Sequence, residues 1–262
     1  MATEQLGSSV EGAVGWLVFR NIEKHNAISM AMAEHMPGVV AALERDERVR
    51  VIVVTGAGEK AFAAGSDISG FGESRADPEA NKRYDDTHER AYDAVYRASK
   101  PTIAMIRGYC IGGGLDFAAS CDIRIAADDA KFSAPAGKLG LGYGYRSVVR
   151  LRRVIGGPAA REFLLSASRI PADEALRLGL VHRVVPAATL REDVLAYAAK
   201  LAENAPLTLR ALKASLVDLD SEPADRDRAG VQRLIDACFS SEDYQEGRRA
   251  FAEKRKPDFR GR

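Results

Sequence analysis

Apolar residues along this chain follow two rhythms. Over roughly the first two thirds, short runs of β-branched and other apolar residues alternate with stretches of helical spacing. Val14-Gly15-Trp16-Leu17-Val18-Phe19, Val51–Thr55, Thr102–Ile106 and Ile123–Ala126 read as strands, with glycine-containing turns and helical patterns between them. Ser29 suits the cap of a helix running toward Glu47. Strands alternating with helices predict an α/β fold, a buried sheet system with crossover helices. After Pro186 the strand signal fades. Leu190–Asn204, Leu207–Val217, Asp225–Phe239 and Ser241–Arg255 read as helices punctuated by Pro206 and Pro223. Their apolar faces include Leu209, Leu212 and Leu216, then Val231, Leu234, Ile235 and Cys238.

A length of 262 residues accommodates one large domain, or one with an appendage. With 38 basic against 37 acidic residues, the net charge of +1 argues against nucleic acid or an anionic membrane as partner. Basic residues do gather at the end, in Lys254, Arg255, Lys256, Arg260 and Arg262, where a solvated helix terminus accounts for them. The three cysteines, Cys110, Cys121 and Cys238, show no metal or redox spacing and read as buried structural thiols of a reducing compartment. His25, His35, His88 and His182 lack ligand partners at helical spacing, so no metal site is expected. Residues 1–10 carry no signal-peptide pattern, and no apolar run approaches the roughly 20 residues of a spanning helix. The expectation is a soluble, cytoplasmic protein.

Chemistry concentrates in Tyr109-Cys110-Ile111-Gly112-Gly113-Gly114-Leu115-Asp116. Three glycines leave the backbone bare where a helix opens, so free N–H groups at its positive end face outward. Such donors suit a developing oxyanion. Asp116, one turn further on, brings a carboxylate toward the neighbouring atom, which suggests enolate stabilisation with proton transfer beside it. A second loop, Ala61-Phe62-Ala63-Ala64-Gly65-Ser66-Asp67-Ile68, follows the Val51–Val54 run; it reads as a strand that breaks at Gly65 and restarts as a helix capped by Ser66 or Asp67. Neither a dinucleotide fingerprint nor a P-loop fits the glycine spacings.

Together, AFAAGSDI and KPTIAMIRGYCIGGGLDFAASCDIRIA resemble the crotonase family, the enoyl-CoA hydratases and isomerases. Asn21–Ile28 resembles its early CoA-binding segment. Ala172–Ala175 with Gly179–Pro186 resembles a later helix–strand signature, and Glu246–Pro257 its C-terminal helix. The resemblance runs from about residue 12 to about residue 260. It implies a right-handed ββα superhelix over residues 1–200 and a C-terminal helical oligomerisation region over 201–262, forming a homotrimer or dimer of trimers. It also implies that the Ser66 and Gly113 N–H groups grip the thioester carbonyl of an acyl-CoA substrate, with Asp116 as acid/base. Lys24, Ala27, Ala64, Asp67, Ile68 and Ser69 would line the CoA site, completed by Phe251 and Lys254 across a subunit boundary. No cofactor beyond the substrate's own coenzyme A is implied, and no metal.

One departure matters. Relatives carry a second glutamate after the proline of a segment resembling Phe132-Ser133-Ala134-Pro135; here Ala136 follows. Hydration places water between two carboxylates, so ordinary hydratase activity should be weak or rerouted. Tyr143 or Tyr145, in the segment Leu139–Tyr145, offers a phenol instead, as in decarboxylases of the superfamily; Lys138 and Arg146 flank it as solvated residues. Isomerisation, decarboxylation or thioester hydrolysis through Asp116 and Tyr143 are the alternatives, beside a non-catalytic CoA-binding protein or, less in keeping with the charge, an RNA-binding one. Gly72–Lys82 reads as a mobile loop over the acyl pocket.

Overall fold

The computed structural model describes residues 4–67, 69 and 76–262. The runs read as strands form the larger of two sheets. It holds β1 (Leu6–Glu11), β2 (Val14–Phe19), β3 (Val51–Gly56), β5 (Thr102–Ile106), β7 (Ile123–Ala127) and β10 (Arg183–Val185), adjacent in that order. Only β1 with β2 is antiparallel; the other neighbours run parallel. The smaller sheet contains β4 (Ala61–Ala63), β6 (Tyr109–Ile111), β8 (Lys131–Ser133) and β9 (Ile170–Pro171).

Chain order explains the layering. β3 and β4 lead to helix α2 (Pro78–Tyr96), β5 and β6 to α3 (Gly113–Ser120), and β7 and β8 to α4 (Ala136–Leu139) and α5 (Tyr145–Ser166). Each turn of this spiral puts one strand in each sheet and then a helix. α1 (Met30–Arg45) precedes them, and its Ser29 Oγ accepts the Met32 N–H at 3.3 Å, the predicted cap.

The unbroken apolar character of β3 reflects burial on both faces. Ile52 and Val54 join the core with Leu17, Phe19, Phe62 and Phe117. Val51 and Val53 point the other way, toward Ile103, Ile125 and Val194. That second face is closed by α7 (Leu190–Ala202), through Leu190, Val194 and Ala198. α6 (Ala172–Arg177) caps the far end of the spiral.

Three further helices follow: α8 (Pro206–Asp220), α9 (Arg228–Phe239) and α10 (Glu242–Glu253). α9 begins three residues later than expected, because Asp227 caps it by accepting the Gly230 N–H. Lys213 on α8 is buried and ties this region to the spiral, donating to Asp122 at 2.7 Å and to the Lys100 carbonyl at 3.1 Å. Leu212, Leu216, Phe239 and Phe251 remain exposed, Phe251 by 88%. The mobile-loop reading of Gly72–Lys82 needs correction at its end: Asp77 caps α2, whose first residue is Pro78, while residues 72–75 lie outside the described residues.

Candidate active site

Both glycine loops meet where the two sheets hand over to their helices. At Gly65 the backbone takes φ +110°, which favours glycine, and the chain then bridges to Ile28. Ile28 N–H donates to the Gly65 carbonyl at 2.8 Å, and Asp67 N–H to the Ile28 carbonyl at 2.9 Å. The Ser66 N–H takes no part in that bridge. Ser66 is thus a bridge residue, and Asp67 accepts from the Ser69 N–H at 3.1 Å; the helix read as following them falls at residues 68 and 70–75, outside the described residues.

Opposite, Gly112 at φ +50° turns the chain into α3, whose first residue is Gly113. A Cβ on Gly113 would stand 3.5 Å from the Ser66 nitrogen, 3.1 Å from Ser66 Oγ and 3.0 Å from the Tyr92 phenol oxygen. Two amide-bearing turns therefore open onto one small space. Gly114 serves packing instead: a Cβ there would lie 2.3 Å from the Ala63 carbonyl oxygen.

Asp116 is buried, 3% exposed, and well supplied with donors. Its Oδ2 accepts from Ser147 Oγ at 2.9 Å and from the Tyr143 phenol at 3.2 Å. Arg150 Nη1 stands 3.5 Å from Oδ1, at the limit of a hydrogen bond, while Nη2 donates to Glu89 at 2.9 Å. Burial pushes the Asp116 carboxyl up to about 6, against the opposing pull of Arg150, Ser147 and Tyr143. Burial and the neighbouring Asp116 likewise push the Tyr143 and Tyr92 phenols well above their ordinary range, so both stay neutral donors. A cavity of about 380 Å³ opens onto this group, lined by Ala64, Ser66, Gly113, Asp116, Ala136 and Tyr143 among others. Tyr145 and Arg146 also border it.

The carboxyl's displacement has a consequence for stability. Its ordinary value is 3.8, so the folded chain binds this proton more tightly than the unfolded one. The stabilisation is complete below about pH 4, is lost as pH rises through about 6, and amounts to roughly 3 kcal/mol. Asp116→Asn removes that dependence. Urea unfolding at about pH 4 and pH 7 is expected to show the variant gaining stability relative to wild type at the higher pH, and an unchanged difference would contradict the assignment.

The remaining predicted residues divide. Lys24 Nζ contacts Asp67 Oδ2 at 2.8 Å and Ser69 Oγ at 2.7 Å, joining three of them beside Ser66. Ala27 is buried one residue before the bridge, its carbonyl accepting from the Asn21 amide. Ile68 lies outside the described residues. Phe251 and Lys254 are not brought to this cavity within the chain. Phe251 instead lines a separate apolar cavity of about 730 Å³ with Leu212, Phe239 and Tyr244, and Lys254 terminates α10 in a left-handed conformation. The sequence reading missed Ser147, Arg150, Glu89 and Tyr92. A signal was available for Arg150: with Ser147, Leu151 and Ile155 it falls on the buried stripe of α5, a charge where spacing predicts apolar residues.

Among the described residues, no group of three or more His, Cys, Asp or Glu side chains could hold a metal ion, and no helix is long and apolar enough to cross a membrane. A ββα spiral with donor turns at the start of its helices is the crotonase architecture, and the wider comparison agrees. Residues 9–262 match the family model described as enoyl-CoA hydratase/isomerase. A short-chain-enoyl-CoA hydratase from Clostridium acetobutylicum is 34% identical over 94% of both chains. A carnitinyl-CoA dehydratase from Escherichia coli is 35% identical over 91% of this chain and 92% of that protein. Among solved structures, an enoyl-CoA hydratase/carnithine racemase from Magnetospirillum magneticum superposes with a TM-score of 0.92 at 36% identity, covering 100% of this chain and 97% of that one. The chain belongs to the enoyl-CoA hydratase/isomerase family, and it is an enzyme of that family.

Proposed function

We propose that this enzyme moves a proton on the carbon beside the thioester carbonyl of an acyl-CoA, through an enolate, using a single working carboxylate. The Ser66 and Gly113 N–H groups would hold the enolate oxygen, and Asp116 would take or return the α-proton. One observation carries the reading: the space between the two amide turns adjoins a cavity that holds the buried Asp116 carboxyl, which burial pushes up to about 6. Three other acids line this cavity, Asp85, Asp86 and Glu89; Glu89 is paired with Arg150 and Asp86 with Lys82. Ala136 borders the same cavity and offers no second carboxylate to hold water.

The names of the hydratase relatives favour water addition, which the missing second carboxylate disfavours. Decarboxylation is the second reading, favoured by the hydrogen bond between Tyr143 and Asp116. Cleavage of the carbon–carboxylate bond would release carbon dioxide and leave its electron pair as the enolate, which the phenol would protonate. Lys24, Ala27, Ala64, Asp67 and Ser69 would border the CoA moiety. Phe251 and Lys254 would reach it from a neighbouring copy in a homotrimer or dimer of trimers, which the exposed apolar faces of α8–α10 support. A cytoplasmic location accords with such a substrate.

Restoring the second carboxylate tests the argument. Ala136→Glu is expected to raise hydration of crotonyl-CoA by about 10²-fold, the lower end of what a positioned acid–base group contributes. Rapid hydration by the wild-type enzyme, unimproved by Ala136→Glu, would refute the single-carboxylate reading.

A further inference from the structure

We propose that Glu89 and Arg150 are a positioning pair that sets the proton affinity of Asp116, and with it the pH range in which the enzyme works. The proposal rests on the reading of Asp116 as the acid/base. Three elements meet at this point: α2 supplies Glu89 and Tyr92, α3 supplies Asp116, and α5 supplies Ser147 and Arg150. Arg150 is the cation between two carboxylates, its side chain 7% exposed and its guanidinium carbon 4.8 Å from the centre of the Tyr92 ring. It is not shared equally, standing 2.9 Å from Glu89 and 3.5 Å from Asp116.

That asymmetry has a chemical consequence. A guanidinium closed fully onto Asp116 would hold the carboxylate ionised and make it a poor proton carrier near neutrality. With no guanidinium present, burial would keep it protonated and equally idle. Glu89 draws the cation back, and Asp116 is left between these limits. Ionised Glu89 also repels a second negative charge at Asp116, in the same direction.

Other groups face Asp116 but do not supply this control. Tyr143 and Ser147 donate to Oδ2 as neutral hydroxyls. Tyr92 on α2 and Cys110 on β6 lie close enough to interact electrostatically, and burial pushes both well above their ordinary range, so they remain uncharged. His88 on α2 stacks on Tyr84 at the cavity wall. At the rim, Arg146 pairs with Asp93 at 3.7 Å, and both are solvated.

The test compares wild type, Glu89→Gln and Arg150→Gln. Infrared difference spectroscopy would follow the Asp116 carboxylic band against pH, with Asp116→Asn identifying it, alongside kcat/KM profiles. Glu89→Gln is expected to move the midpoint down by about one pH unit and Arg150→Gln to move it up by about as much. A purely structural role would not give opposite shifts. Unmoved midpoints, or shifts in one direction only, would overturn the proposal. Should Arg150→Gln fail to fold, Glu89→Gln decides alone, and a midpoint that does not fall counts against the pair. If the infrared midpoints separate as expected while kcat/KM profiles stay superimposed, the pair's hold on the Asp116 proton stands, and both its control of the working pH range and the acid/base role of Asp116 fall.

Discussion

The Asp116→Asn variant is expected to turn over its acyl-CoA substrate about 10²–10⁴-fold more slowly than wild type, with KM little changed. Asparagine keeps the shape of the side chain and an oxygen for the Tyr143 and Ser147 hydroxyls, which lie 3.2 and 2.9 Å from Oδ2. It cannot accept a proton. The loss should therefore appear in kcat, in a protein that remains folded. Steady-state kinetics with crotonyl-, 3-enoyl-, methylmalonyl- and ethylmalonyl-CoA provide the check. Unchanged turnover of every substrate consumed by the wild type would remove Asp116 from the chemistry and favour a chain that only binds CoA.

Gly113→Ala is expected to reduce turnover by a factor close to that for deleting one oxyanion-hole donor, about 2.7–4 kcal/mol in the transition state. The added methyl would sit 3.5 Å from the Ser66 nitrogen and 3.0 Å from the Tyr92 phenol oxygen, in the space proposed for the enolate oxygen. Gly113 does not have the positive φ of Gly65 and Gly112, so alanine imposes no left-handed strain on its backbone. The Tyr92 and Ser66 side chains must give by a few tenths of an ångström, so thermal stability should fall less than in a variant that meets rigid backbone, while kcat falls. Gly114→Ala provides the contrast. There the new carbon would collide with the Ala63 carbonyl at 2.3 Å, and stability should fall with activity. Equal thermal losses in both variants would mean that Gly113 is bare for packing and not for a ligand.

Much of this arrangement was legible before folding. The apolar runs of β3 and β5 declared a sheet covered on both faces, and the glycines before Asp116 declared a bare helix start. Of the smaller sheet only β4 was legible from the residues themselves, as the strand that breaks at Gly65; β6 and β8 are three-residue strands, too short to display an alternation. The contacts that tune Asp116 were hidden for another reason. Glu89, Asp116 and Arg150 are distant in the chain, and a charged residue within a helix reads by default as solvated. Only the closure of α2, α3 and α5 around one point puts a guanidinium between two carboxylates. In the C-terminal helices the apolar faces could be read, but not where they sit: Phe251 lies beside Leu212 and Phe239, away from the cavity that holds Asp116.

The central claim is an enolate enzyme with one working carboxylate. Its most direct test is to incubate the enzyme in heavy water with a saturated acyl-CoA and with crotonyl-CoA, following masses of substrate and product. The account predicts deuterium entering beside the thioester carbonyl of the saturated compound, abolished in Asp116→Asn, with little water added to crotonyl-CoA. Fast hydration of crotonyl-CoA, with no exchange into the saturated thioester, would contradict it.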